Sequence, residues 1–462
     1  MTRKVRRDEF DNVAPIDYRY VNTPITDYLS ERAFTKYKLD VEAALIVVLA
    51  KRGICPPEIV EEVKLACSQV TCQEVAREEK KTRHDLKALV NCIRRRVSRR
   101  AKPYIHLTAT SYDIIETANA VRYRDVTLKV LVPQLQQLLK ALIALAFREA
   151  DTVQVGRTHG QHALPITFGL AIARDVDRLG SSMLKLEELA GELRGKFSGA
   201  VGAYNASSLL FENPEDFEDD VMYRFELEAA EHSTQVVPPE ALLRLMSEVV
   251  IAAGVMANLC RDMRNLQRTE IREVGEVFEK NQVGSSAMPQ KRNPITFENG
   301  EGLWDVVSTL INLLYRKQVC EHQRDLTNSA PARLYGEIIA YTFEVARRLT
   351  GTMQKLVVDR ESMARNLAMT RDLMAAEPLH IILSSLGHVN AHEAVRKLTL
   401  QSEANHTTRG QELLKNRALR PYVARMTERQ RQIIADPAQH YTGIAAKKAR
   451  DIAERWQSML EL

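Results

Sequence analysis

The chain has 462 residues, 45% of them hydrophobic and 27% charged, a balance that excludes intrinsic disorder and leaves room for about three folding units. Its formal net charge of +5 is small for this length, so charge alone does not call for nucleic acid and at most favours a small anionic substrate. Six cysteines (Cys55, Cys67, Cys72, Cys92, Cys260, Cys320) show neither a CxxC pair nor a Cys/His ligand spacing, which argues for reduced, mostly buried thiols rather than zinc or disulfides.

The first residues, MTRKVRRDEFDNV, are charged and lead into no apolar signal segment. No apolar run approaches the roughly 20 residues that span a bilayer, so no membrane contact and a cytoplasmic location are expected. Next, KYKLDVEAALIVVLAKRG carries apolar residues at helical intervals, has Lys51 and Arg52 in its last turn, and stops at Gly53 before Cys55-Pro56-Pro57. In KKTRHDL, His84 sits between Arg83 and Asp85, which on its own reads as a surface ion-pair patch. The run IRRRVSRRAKPY at 93–104 is densely basic but lacks aromatic interleaving, so a solvated helix face is favoured over nucleic-acid binding.

HLTATSYD at 106–113 offers His106, Thr108, Thr110 and Ser111 as donors suited to a carboxylate. Ser111 or Asp113 equally suits a helix N-cap, and the two readings are compatible because a helix N-terminus attracts anions. Leu128, Leu131, Leu135, Leu138, Leu142 and Leu145 form an apolar seam that Pro133 should kink or restart. In GRTHGQHALPITFG, Gly156 and Gly160 loosen the backbone around His159, Pro165 limits any helix, and two histidines lie three apart. A structural, catalytic or metal-ligating histidine is compatible with that pattern, although no acidic or thiol partner lies near in sequence.

From Leu242 the positions Met246, Val249, Ala253, Met256, Cys260 and Met263 step by four and three over about three heptads. Ile339, Phe343, Ala346, Met353 and Leu356 sketch another such seam. Helices this long are expected to bury their seams by self-association, which predicts an obligate oligomer. Between the seams lies GSSAMPQKRNP at 284–294, whose Gly284, Ser285 and Ser286 can present backbone N–H groups to an anion while Lys291, Arg292 and Asn293 add charge and an amide. It lacks the order of a Walker loop. The expected fold is all-α in three helical domains: 1–110, a central long-helix bundle over 111–362 that assembles into a tetrameric core, and 363–462.

GSSAMPQKRNP resembles the signature of the fumarase/aspartase superfamily, and with TRHD, HLTATS and GRTHGQHALP in that order the chain resembles its adenylosuccinate lyase branch. The resemblance runs from Asp17-Tyr18-Arg19-Tyr20 through RDLTNSAPAR at 324–333 to HYTG at 440–443. It implies anti β-elimination of fumarate from a succinyl-amine nucleotide, without cofactor or metal. It implies Ser285 as the base, with Lys291 and neighbouring N–H groups favouring its alkoxide, and His159 as the acid on the leaving nitrogen, oriented by Glu298. His84 and His106 match further active-site histidines, with Arg83 and Asp85 beside the first. Thr110 and Ser111 match a carboxylate-binding pair, and Lys291, Asn293 and Ser286 match contacts of the signature loop. Gln235 matches a substrate glutamine, while Arg19, Tyr20, Arg324, Ser329 and Arg333 match the phosphate set. The same resemblance implies a homotetramer with sites shared between subunits. Val236-Val237-Pro238-Pro239 and Asn299 depart from the branch, where many members carry basic residues. The related carboxymuconate cycloisomerases share the signature loop but generally lack a histidine at position 159.

Overall fold

A computed structural model describes residues 20, 23–278 and 287–460. Most of these are helical, and the strands are confined to three two-stranded pairings. The described residues form two compact units: those within 20–136, 181–256 and 301–347 make up unit 1, and those within 137–180, 257–300 and 348–460 make up unit 2.

In unit 1, Glu31–Lys51 begins at Ser30, whose hydroxyl accepts from the Ala33 N–H at 3.2 Å, and is followed by Gly53 at φ +74°, the left-handed stop expected from the sequence. Its inward face buries Leu39, Val41, Leu45, Ile46, Val48 and Leu49 against Val60–Gln69 and Ser111–Val126. Each such side chain contributes roughly 1.5–3 kcal/mol of burial. Lys51 and Arg52, at the unfavourably negative C-terminal end, both reach Asp220, at 2.8 and 2.7 Å. The basic run is likewise matched by acids: Arg95 pairs with Glu78, Arg96 with Glu74, Arg100 with Glu58, and Ser98 bonds to Glu62. It is an ion-paired surface, in line with the solvated-face reading.

Pro133 has the effect its chemistry requires. Lacking an N–H and crowding the carbonyl four residues back, it follows a π-helical turn at Thr127–Leu131 that separates Ser111–Val126 from Val132–Arg148.

The seam of Glu240–Leu266 is buried within the single chain: Met246, Val249, Ala253, Met256, Cys260 and Met263 are each at most 2% exposed. Leu131, Leu135, Leu138, Leu142 and Leu145 are as well covered, with Leu128 only partly buried, and Ile339, Phe343, Ala346, Met353 and Leu356 are at most 5% exposed. The seams therefore need no second chain to cover them, and the inference from seam to oligomer does not stand on that ground. Two helical stretches, Ser111–Arg148 and Glu240–Leu266, do contain windows long and apolar enough to cross a membrane by length and composition, a correction to the sequence reading, with 56% of each window buried inside the fold.

In unit 2, the segment read as a polar loop is a β-hairpin. Val153–Thr158 pairs antiparallel with Gln161–Thr167, and the two residues between them, His159 and Gly160, both have positive φ (55° and 74°). That is the conformation of the tight hairpin turns whose twist matches the strands. The register breaks between Val155 and Arg157, and a side chain on Gly156 would meet the Leu164 carbonyl oxygen at 2.8 Å, so the bulge requires glycine. Elsewhere in this unit, Leu379, Leu383, Val395, Leu398, Leu413 and Ile434 bury a cluster of their own.

Candidate functional site

Unit 1 encloses a cavity of about 1030 Å³. Four separate sequence segments predicted to carry function meet on its wall. Arg83 ends Cys72–Thr82 in a left-handed conformation (φ 53°), which turns the chain so that His84 caps Asp85–Arg96 through its Nδ1, 3.3 Å from the Lys87 N–H. The His84 Nε2 then lies 3.4 Å from the Ser111 hydroxyl. Arg83, His84, Asp85 and Ser111 all line the cavity.

Ser111 is there because Thr110 caps its helix, with the Thr110 N–H donating to Asp113 at 2.8 Å in a capping box. Asp113 is fully buried, pairs with the equally buried Lys196, and accepts the Gly199 N–H at 3.2 Å. The N-cap is therefore Thr110 rather than Ser111 or Asp113, which corrects the sequence reading, and Ser111, the first helical residue, is left to face the cavity. Just upstream, His106 and Thr108 have φ of 65° and 67°, and the buried Thr108 hydroxyl has no partner among the described residues. Strained backbone of this sort clusters at functional sites. His106 itself is turned toward Glu42, 2.7 Å from its Nδ1, and is not in the cavity wall. Burial disfavours its charged form, but the Glu42 carboxylate outweighs this and raises its pKa.

The wall also brings Gln235, Arg324, Ser329 and Arg333 together. The Gln235 N–H donates to the Gln323 carbonyl at 3.2 Å, which ties the two segments. Arg333 bonds the Ser329 hydroxyl at 3.1 Å, and the buried Nε of Arg324 has no acceptor among the described residues. A guanidinium nitrogen kept from water without an acceptor suits an anionic ligand.

Sequence reasoning missed Glu116, Lys38 and Arg122, which also line the cavity. Burial pushes the Glu116 carboxyl up to about 7, against the opposing pull of Arg324, the Val237 N–H, Lys196 and Asn119. Glu116 lies five residues after Ser111 on the same helix, not at one of the i+3 or i+4 positions that share its face, so helical spacing carried no signal for it. Tyr20 is helical and partly buried.

The remaining predicted residues belong to unit 2 or lie outside the described residues. His159 is exposed at the hairpin tip, and His162, the other histidine of the motif, is 2.8 Å from the Thr370 hydroxyl. The hairpin is anchored by Glu273, fully buried, which accepts from Arg157 at 2.6 Å, Gln154 at 2.8 Å and Asn366 at 2.9 Å. Lys291 and Glu298 are exposed and Asn293 partly buried, with Glu298 in the first turn of Ile295–Arg316. That helix start is fixed by Glu276, which accepts from Thr296 N–H at 2.9 Å, its hydroxyl at 3.0 Å and Phe297 N–H at 3.2 Å. His159 and Glu298 share no hydrogen bond among the described residues. Arg19, Ser285 and Ser286 lie outside the described residues.

Comparison with known proteins places these features in a lineage. Residues 19–308 match a family described as lyase, and residues 320–434 match the adenylosuccinate lyase C-terminal family. An adenylosuccinate lyase of Archaeoglobus fulgidus is 33% identical over 96% of this chain and 98% of its own length. That of Pyrococcus abyssi is 36% identical over 84% of this chain and 87% of its own. Among solved structures, the 3-carboxy-cis,cis-muconate lactonizing enzyme of Pseudomonas putida superposes with a TM-score of 0.84, covering 97% of this chain and all of that one at 24% identity, a likeness of fold. Such similarity, sustained across both matched regions and nearly the whole length, means that the chain belongs to the adenylosuccinate lyase family.

Proposed function

We propose that this chain is a carbon–nitrogen lyase of purine nucleotide biosynthesis, eliminating fumarate from adenylosuccinate to give AMP. The observation that carries the reading is the match to adenylosuccinate lyases along nearly the full chain, joined to a cavity that gathers His84, Ser111, Gln235, Arg324 and Arg333 from distant segments. A cationic, hydroxyl-bearing cavity of this size fits a nucleotide with a phosphate at one end and a dicarboxylate at the other.

The chemistry assigns roles by need. An anti elimination takes a proton from the carbon beside a carboxylate, places the charge on that carboxylate as a dianion, and protonates the departing nitrogen. Ser285 is the proposed base, and Lys291 with Asn293 and Ser286 the proposed charge cage. His159 is the proposed acid, oriented by Glu298. Ser111 and Thr110 would hold a carboxylate, and Arg19, Tyr20, Arg324, Ser329 and Arg333 the phosphate, with His84, between Arg83 and Asp85, near the phosphate or the acid and assisting catalysis, while His106, turned to Glu42, would act only from behind the wall. Gln235 would contact the succinyl nucleotide. A homotetramer that builds each site from several subunits would bring together groups carried on separate segments, including His159 and Glu298. Succinyl-aminoimidazole-carboxamide ribonucleotide presents the same leaving nitrogen and is the proposed second substrate. A cytoplasmic location and a three-domain division at about residues 110 and 362 complete the proposal.

Product analysis tests it. Adenylosuccinate incubated with the protein should give fumarate and AMP in equal amounts, and 3-carboxy-cis,cis-muconate should be left unchanged. Lactone formation from the muconate, with no cleavage of adenylosuccinate, would move the assignment to the cycloisomerase branch.

A further inference from the structure

The short segment that delivers Thr110 and Ser111 to the cavity wall is held at both ends by a buried carboxylate. On the helix side, Asp113, fully buried and paired with Lys196, accepts the Thr110 N–H at 2.8 Å. On the other side, Glu42 of Glu31–Lys51, its side chain 2% exposed, lies 2.7 Å from the Nδ1 of His106. That is the only hydrogen bond to Glu42 among the described residues. Between the two anchors the backbone takes positive φ at His106 (65°) and Thr108 (67°), conformations that persist only where the surroundings hold them.

Imidazole is the side chain that ordinarily changes charge between about pH 5 and 8, so the strength of the His106 anchor depends on pH. Burial works against the His106 proton. Glu42 outweighs burial by its charge and its hydrogen bond, Asp113 on Ser111–Val126 adds to it, and Lys87 on Asp85–Arg96 opposes, with a net rise above the ordinary value. Glu42 also faces Cys67 of Val60–Gln69, whose thiol is pushed up, chiefly by burial, and stays neutral. Because the folded-state value is raised, the anchor is at full strength below the ordinary imidazole pKa and is lost as pH climbs through the raised one.

We propose that Glu42 is a positioning residue for the substrate carboxylate, holding His106 as an imidazolium and, through the 106–110 segment, setting Thr110 and Ser111 at the cavity wall. Substrate affinity then depends on the charge of a pair that touches no substrate. This inference rests on the reading that Thr110 and Ser111 take a carboxylate.

The test is kcat and KM for adenylosuccinate from about pH 5.5 to 9, with each variant expressed as a KM ratio to wild type so that titrations common to both cancel. Ser111→Ala is measured first and checks the underlying reading: its KM should rise about tenfold at every pH. An unchanged KM there would overturn that reading and the proposal with it. In Glu42→Gln, burial is left without its opposing carboxylate, so His106 loses its proton below the ordinary value of about 6.5 instead of above it. The KM ratio of this variant should therefore peak near pH 6.5, at about tenfold, and shrink on either side, where His106 carries the same charge in both proteins. Its kcat should change by less than about threefold, because the proposed acid and base are untouched. Glu42→Asp keeps the charge and should restore most of the affinity at pH 6.5. His106→Gln cannot titrate; it should raise KM at low pH and approach wild type at high pH, and it carries the test if Glu42→Gln fails to fold. A KM ratio that is the same at every pH, in either Glu42→Gln or His106→Gln, would overturn the proposal and leave the pair as an internal tie of the fold.

Discussion

Replacing Glu116 by glutamine isolates the electrostatics of the cavity with almost no change in shape. Its carboxyl titrates at about 7 in the fold against an ordinary 4.5, chiefly because burial disfavours the carboxylate. A folded-state pKa above the unfolded one means that the folded chain binds the proton more tightly. Below about pH 4.5 both states are protonated and Glu116 carries no penalty. As pH rises from about 4.5 to 7 the penalty grows, and above 7 it is complete. At roughly 1.4 kcal/mol per pH unit, the gap corresponds to an upper bound of about 3 kcal/mol. Glu116→Gln removes the charge and keeps a carbonyl oxygen for the Val237 N–H. Thermal melts of the two proteins should therefore coincide near pH 4, differ by only about 1 kcal/mol near pH 5 and diverge further by pH 8, with the variant the more stable. The same change frees Arg324 from a competing carboxylate, so AMP should bind the variant more tightly at pH 8 than it binds wild type. A stability difference that is the same at pH 5 and pH 8 would refute the reasoning.

Other positions give independent expectations. Lys196→Met leaves Asp113 buried and unpaired beneath the cap of the Ser111 helix, which should cost about 3–5 kcal/mol and be visible as a large drop in melting temperature. Gly202→Ala would place a methyl 2.0 Å from the Ser233 carbonyl oxygen at a φ of +73°, and should destabilise by at least about 1 kcal/mol in the same assay. Arg333→Leu should weaken AMP binding by well over tenfold, measured by calorimetry, while leaving the melting temperature of the free protein nearly unchanged, since its side chain is exposed and among the described residues bonds only Ser329.

Helix boundaries were legible where a local rule decides them. The stop at Gly53 and the break before Pro133 each follow from one residue's backbone chemistry, whereas the cap of the Ser111 helix, read as Ser111 or Asp113, is Thr110, because several neighbouring polar residues suit the position. The hairpin was less so: its turn places a histidine at positive φ, which is uncommon outside glycine, and its strands are short, with a bulge at Gly156 that interrupts alternation. The seams show another limit. A run such as Met246–Met263 states that a face is buried but not which chain covers it. In the site, motif residues such as His84 and Arg324 could be named because their surroundings in sequence are distinctive. Lys38, Glu116 and Arg122 could not, because a charged residue within an amphipathic helix reads as a solvated one until the fold turns it inward.

The central claim is that this chain eliminates fumarate from adenylosuccinate by the acid and base proposed for it. The most direct measurement is the rate of fumarate and AMP formation from adenylosuccinate by wild type, Ser285→Ala, His159→Gln and a re-equilibrated mixture of the two variants. The account predicts turnover by wild type, almost none by either variant alone despite retained nucleotide binding, and partial recovery on mixing as subunits exchange to complete a shared site. No product from folded wild type would contradict the reaction. Near-normal turnover by either variant would contradict its role, and confirmed subunit exchange with no recovery would contradict the shared site.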